Sequence, residues 1–350
     1  MSSEVPQHLL SGSQITPEVF ERISETTVRL QKPRELERAK RRIKKAHPRG
    51  AAALALFVEP SARTRYSSLR ACARLGVVAF QEPHPADTLS LLKGETWEDT
   101  FLTFDALDYQ LIFFRSDTEG AAEKAAQYTR RAIIVNCGDG KNEHPSQAIL
   151  DGQTIKKTFG KFDGLTTAYV GDPAKARTAH SLLNLLAYYD THHIFSTPPG
   201  MELEPEYVEK LKQRNVSFEV MHDISKAAQK AQIIYMNRHQ TERIPKEGGE
   251  SKEDYQHRIA KKEEEYLKET QITPDSPVLR IIEERGVRIM HPFPRKQELS
   301  VELTHHPSGL FIDQMEEGVN TRTGTSYLQL LGKLFLKIEE FNPTLNEQTA

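Results

Sequence analysis

The chain reads as an α/β protein of two domains, each a mostly parallel sheet flanked by helices. Short continuous apolar runs alternate with helical stretches along its whole length, the rhythm of strand–helix–strand units. Its 350 residues are enough for two cores of ordinary size. The hydrophobic share of 37% and charged share of 27% are those of a globular protein, neither disordered nor fibrous.

In chain order, the run from Ala51 to Val58 is a buried strand, because it is apolar on both faces. A helix is expected from about Arg65, with Leu69, Cys72 and Ala73 on one face and Gly76 as its C-terminal cap. Tyr109 to Phe114 and Ala132 to Asn136 read as two more strands, with an Ala-rich helix after Gly120 between them. Pro145 is placed to open the next helix, and the domain junction is set near Leu150 inside it. The first domain is thus residues 1–150 and the second 151–324. Strands of the second are Thr166 to Val170, His193 to Ser196, Ala231 to Met236 and Val287 to Met290. A last helix, about 325–345, is expected to pack back on the first domain. The charged stretch Glu247 to Thr270 breaks the rhythm and reads as a solvated or mobile loop in preference to a partner-binding helix.

Composition excludes several classes. A formal charge of −2, with both signs mixed along the chain, argues against a nucleic-acid binder, which needs a clustered basic surface. No apolar stretch approaches a membrane span, and the N-terminal residues lack the basic and apolar regions of a secretory signal. Cys72 and Cys137 read as reduced thiols of a cytoplasmic protein. No zinc-ligand spacing is present, so a site without metal is the default.

The residues that carry chemistry fall at strand ends. Strand, then Ser61-Ala62-Arg63-Thr64-Arg65, then helix is an anion site in physical terms. Helix-start N–H groups and the helix dipole favour negative charge there. The two hydroxyls and two guanidinium forks suit phosphate or carboxylate. Taken alone, the pentapeptide is equally a capping serine followed by solvent-facing arginines. Arg115 ends the strand Tyr109 to Phe114, and His144 and Gln147 flank the start of the helix opened by Pro145. All three occupy the carboxyl edge where ligands of open α/β sheets bind. In the second domain, Arg177 opens a helix after Gly171-Asp172, Arg238 and Gln240 follow another strand, and His291 to Arg295 follow the last. Two arginines at separate strand ends suit a substrate with two carboxylates. The absence of G-x-G-x-x-G after any strand argues against a nicotinamide enzyme.

Together these segments resemble the aspartate carbamoyltransferases, of the aspartate/ornithine carbamoyltransferase family. The resemblance runs from about Pro6 to Leu334. It rests on FVEPSARTR (Phe57 to Arg65), SLLKGET (Ser90 to Thr96), FFRSDTEGAA (Phe113 to Ala122) and GDGKNEHPSQAILD (Gly138 to Asp151). VGDPAKARTAHS (Val170 to Ser181), YMNRHQTER (Tyr235 to Arg243) and HPFPR (His291 to Arg295) complete it. It implies an active site in the cleft between the domains and transfer of the carbamoyl group of carbamoyl phosphate to L-aspartate, a step of de novo pyrimidine biosynthesis. It implies no metal, cofactor or covalent intermediate.

Carried over residue by residue, Ser61, Ala62 through its N–H, Arg63, Thr64 and Arg115 would hold the phosphate. Thr64, Arg115 and His144 would donate to the carbamoyl oxygen. Gln147 and the carbonyls of Phe293 and Pro294 would take the carbamoyl amino group. Lys93, Arg177, Arg238 and Gln240 would bind aspartate. In the family the loop carrying Ser90 and Lys93 reaches a neighbouring subunit, which implies a homotrimer; regulatory or dihydroorotase chains are further partners it allows. The sequence departs from the family at Ala62, where a Thr hydroxyl is usual, and at Ser116-Asp117, where His-Pro is usual. Phe293 replaces the commoner Leu. Ornithine as acceptor, or a catalytically silent binding homologue, are the alternatives. Glu59 and His291-Pro292-Phe293-Pro294 weigh against ornithine.

Overall fold

A computed structural model describes residues 7–82, 85, 89 and 93–335, with only the backbone at Glu206 and Arg243. Contacts divide the chain into two compact units, Met1–Gln153 with Met315–Ala350, and Thr154–Gln314.

In the first unit, helices α1 (Pro17–Leu30) and α2 (Pro33–Ala46) each open on a proline. A missing N–H costs nothing at a first helical position. Strand β1 (Ala52–Phe57) leads into α3 (Ala62–Leu75), β2 (Val78–Glu82), α4 (Trp97–Ala106), β3 (Leu111–Ser116), α5 (Ala121–Tyr128) and β4 (Ile133–Asp139). The strands pair in parallel in the order β2-β1-β3-β4. The chain therefore moves outward in one direction from β1 and in the other from β3, which makes the β1/β3 gap the switch point. Leu54, Leu56, Ile112, Phe114 and Ile134 pack with Phe101 of α4 into one core. Burial of each large side chain there contributes about 1.5–3 kcal/mol.

Helix α6 (Pro145–Phe159) carries the chain to the second unit. That unit contains β5 (Thr166–Val170), α7 (Arg177–Leu186), β6 (His192–Ser196), α8 (Pro205–Gln213), β7 (Ser217–Met221) and α9 (Ile224–Lys230). It continues with β8 (Ile233–Met236), α10 (Lys252–Thr270), α11 (Pro277–Arg285) and β9 (Arg288–Met290). Its five strands are parallel in the order β7-β6-β5-β8-β9, so the switch lies between β5 and β8. Helix α12 (Phe311–Leu330) closes the described chain and passes into the first unit at Met315. Gly324 lets α12 approach α1, since a Cβ there would meet the Thr27 backbone N at 3.1 Å.

Four expectations are corrected. The final helix is not 325–345 but begins at Phe311 and ends at Leu330, and residues 336–350 lie outside the described residues. The Glu247 to Thr270 stretch is not a loop: α10 occupies Lys252–Thr270, with Ser251 accepting from the Asp254 N–H as N-cap. Helix α3 starts at Ala62, not Arg65, so Ser61 is its N-cap residue. Strands β2 and β7 have no counterpart in the sequence reading; both are sheet edges with mostly exposed or half-buried residues. Among the described residues no helix is long and apolar enough to cross a membrane.

Candidate active site

In the first unit, Ser61 to Arg65 stand at the β1/β3 switch. Ser61 is extended, with φ −158° and ψ 101°, and its side chain does not cap the helix. Ala62, Arg63 and Thr64 are the first three residues of α3, whose N–H groups have no carbonyl of their own helix to reach. Ala62 and Arg63 are exposed, whereas Thr64 is buried. The Thr64 hydroxyl lies 3.5 Å from His144 Nε2. Arg115 sits near the end of β3, directly beside Phe57 of β1. Its Nη1 donates to the Cys137 carbonyl at 3.2 Å, and its Nη2 pairs with Glu59 at 3.2 Å. The side chain is 11% exposed, so this charge is held largely out of water. A lysine at position 59 would set two like charges together, which gives the carboxylate there a physical reason.

The segment after β4 is shaped by Asp139. Its carboxylate accepts from Asn136 Nδ2 at 2.9 Å, Gly120 N at 3.1 Å, Asn142 Nδ2 at 3.0 Å and Glu143 N at 3.1 Å. This fixes the turn that delivers His144, 3% exposed, to the start of α6. Gln147, in the first turn, donates to Asp151 at 3.1 Å. The unusual Ser116-Asp117 pair ties into the same turn. The Ser116 backbone carbonyl accepts from the Gly140 N–H at 3.1 Å, its hydroxyl accepts from the Thr118 N–H at 3.1 Å, and Asp117 is exposed. The Asp117 carboxylate accepts from the Thr118 hydroxyl at 3.1 Å.

In the second unit, Arg177 opens α7 and is 8% exposed. Gln240 donates to the Lys175 carbonyl at 2.6 Å, joining the loop after β8 to the loop after β5. Gly171 permits this closeness: a Cβ there would meet the Asn237 carbonyl oxygen at 2.4 Å. Arg238 holds Glu242 with both terminal nitrogens, one of them at 2.8 Å. Burial works to raise the Glu242 carboxyl, but the hydrogen bonds and charge of Arg238 overcome it and bring it down to about 2. A carboxylate on this guanidinium fork is the contact a substrate carboxylate would make.

Helix α10 braces the same loop. The Tyr266 hydroxyl donates to the Asn237 carbonyl, and His239 Nδ1 lies 2.8 Å from Glu263. Burial raises the Tyr266 phenol well above its usual range, so it stays a donor. After β9, His291 accepts from the Phe293 N–H at 2.8 Å and its other ring nitrogen faces Glu298 at 2.8 Å. Burial works to raise the Glu298 carboxyl, and the His291 contact overcomes this to hold it below its ordinary value. Phe293 has φ 53° and is followed by a cis bond to Pro294.

Of the residues read from the sequence, Ser61 to Thr64, Arg115, His144 and Gln147 fall on one sheet edge. Arg177, Arg238, Gln240, Phe293 and Pro294 fall on the corresponding edge of the other sheet. Lys93 is exposed. Ser90 lies outside the described residues. The sequence reading missed Glu242, Glu298, His239 with Glu263, and the Ser146 and Arg322 pair behind His144. Glu242 left a local signal in its place four residues after Arg238.

A family model described as aspartate/ornithine carbamoyltransferase, carbamoyl-P binding domain, matches residues 7–157. Its companion, the Asp/Orn binding domain, matches residues 163–327. The aspartate carbamoyltransferase catalytic subunit of Thermococcus gammatolerans is 36% identical over 279 residues, 79% of this chain and 83% of that one. The catalytic subunit of M. jannaschii aspartate transcarbamoylase superposes with a TM-score of 0.74 at 28% identity, over 93% of this chain and 98% of the other. Aspartate transcarbamoylase from Trypanosoma cruzi, solved in complex with carbamoyl phosphate and aspartate, gives 0.74 at 25% identity over 93% and 96%.

Proposed function

This chain belongs to the aspartate/ornithine carbamoyltransferase family, and we propose that it transfers the carbamoyl group of carbamoyl phosphate to L-aspartate, giving N-carbamoyl-L-aspartate and phosphate. The reaction is a step of de novo pyrimidine synthesis. The observation that carries the reading is the grouping of Thr64, Arg115 and His144 around the start of α3. Such a cluster offers donors to a phosphate and to a carbonyl oxygen beside it.

Ser61, Arg63, Thr64, Arg115 and the Ala62 N–H hold the phosphate. Thr64, Arg115 and His144 donate to the carbamoyl oxygen, while Gln147 and the carbonyls of Phe293 and Pro294 take its amino group. Arg177, Arg238, Gln240 and Lys93 take the aspartate carboxylates. The aspartate amine attacks the carbamoyl carbon, a C–N bond forms, and charge gathers on the carbonyl oxygen. The C–O bond to phosphate then breaks, and the departing phosphate carries off the amine proton. Donors already aimed at the oxygen are the main source of rate. No side-chain nucleophile or metal is needed for this step.

The working assembly is a homotrimer in the cytoplasm, with Ser90 and Lys93 serving a neighbouring subunit. Val78 and Phe80, 59% and 51% exposed on one face of edge strand β2, support an assembly that covers them. The buried thiols Cys72 and Cys137 are consistent with a reducing compartment. Regulatory or dihydroorotase chains are further partners of such a trimer. The test of the reaction is product identification: the protein, carbamoyl phosphate and aspartate should yield N-carbamoyl-L-aspartate by mass spectrometry. Phosphate without that product would reject the reading.

A further inference from the structure

Behind His144 lies a buried chain of polar groups that the reaction as written does not use. Arg322 of α12 is 5% exposed; its Nη1 donates to the Gly318 carbonyl at 2.8 Å and its Nη2 to Ser146 Oγ at 3.3 Å. A guanidinium has donors only, so the Ser146 oxygen is the acceptor in this contact. The Ser146 proton must then point elsewhere. Two acceptors are near it: His144 Nδ1 at 3.3 Å and the Cys137 sulfur. Burial pushes the Cys137 thiol up to about 11, so it stays protonated, and a thiol sulfur is a weak acceptor. The imidazole nitrogen is the stronger partner. Arg322 and Arg115 both bear on this pocket, with Asp151 beside Arg322.

We propose that Ser146, oriented by Arg322, is a positioning residue that donates to His144 Nδ1 and so fixes the ring proton on Nε2. Nε2 is the nitrogen 3.5 Å from the Thr64 hydroxyl. With its proton there, His144 is a ready donor to the carbamoyl oxygen; with the proton on Nδ1 it presents a lone pair to the same oxygen and repels it. The inference rests on the reading of His144 as that donor. Arg322 thereby links a helix 176 residues away in sequence to the donor set.

The test is a double-mutant cycle in the full-length protein, read with a ring-nitrogen spectrum. Ser146→Ala should lower kcat about tenfold or more, as wrong-tautomer variants of other histidine enzymes do, while the carbamoyl phosphate KM stays within about threefold. Ser146→Thr keeps the hydroxyl, and Ser146 lines a small pocket with Leu9, Ile149, Thr321 and Thr325. It should retain kcat within about threefold. In a His144→Ala background, Ser146→Ala should change kcat less than about twofold. In a long-range proton–nitrogen correlation spectrum, His144 of the parent should carry its proton on Nε2, and Ser146→Ala should show a mixture.

An equal fold loss from Ser146→Ala in both backgrounds would mean a structural role and overturn the proposal. So would a parent spectrum with the proton on Nδ1, or parental kcat in Ser146→Ala. Failure of the functional reading is distinct. A parent without carbamoyl transfer, or His144→Ala with parental turnover, rejects the role of His144, while the spectrum still decides the tautomer.

Discussion

Arg63 and Arg238 differ in what they offer a substrate, and their variants should separate. Arg63 is exposed in the first turn of α3, where charge on a leaving phosphate would be met by helix-start N–H groups as well. Arg63→Ala is expected to lower kcat by roughly 100- to 1000-fold, the usual cost of one transition-state donor. Arg238 already carries a carboxylate, that of Glu242. Arg238→Ala should mainly raise the aspartate KM, with the carbamoyl phosphate KM near that of the parent. Initial-rate kinetics with each substrate varied checks both, and parental kinetics in either variant removes its assigned role. These arginines were legible because each lies in a short motif beside a strand end. Arg322 was not, because nothing near it in sequence says that a buried serine 176 residues earlier needs a donor.

At the scale of elements, the buried strands were legible and the two exposed edge strands, β2 and β7, were not. Strands β1, β3, β4, β5 and β8 are apolar runs that stand out in sequence. VAFQE and SFEVM, in β2 and β7, are half solvent-facing and read as connecting segments. Helix α12 was misplaced because Gln314, Thr321, Arg322 and Thr325 are buried polar residues that give no apolar stripe before Tyr327. The charge of α10 suggests a loop, yet Tyr266 and Thr270 on it are buried. Tyr266→Phe removes the hydrogen bond to the Asn237 carbonyl and should cost about 1 kcal/mol, with the aspartate KM raised. Denaturant unfolding and the KM together check it; an unchanged midpoint contradicts the brace.

Strand β6 adds a pH dependence. His193 is fully buried, and burial lowers its imidazole from the ordinary 6.5 to about 3. A group lowered in this way binds fewer protons folded than unfolded. Its contribution is full above the ordinary value and is lost as pH falls from there toward the folded value. The parent should therefore lose more stability between about pH 7 and about pH 5 than His193→Gln does. Equal losses in denaturant midpoint would contradict that assignment.

For the whole molecule, the division into two α/β units follows from the alternation of apolar and helical stretches. The assembly came from resemblance alone, since one sequence does not say what covers an exposed edge. The proposed homotrimer predicts a mass of three chains of 39.8 kDa in solution, and Val78 and Phe80 give the edge strand a face to bury. A monomer at working concentration would contradict the trimer. The central claim is the acceptor. Its most direct test is the initial rate of phosphate release from carbamoyl phosphate with aspartate, with ornithine, or with neither. Release stimulated by aspartate, and by ornithine no more than the blank, is the predicted result. No stimulation by aspartate, or a preference for ornithine, would contradict it.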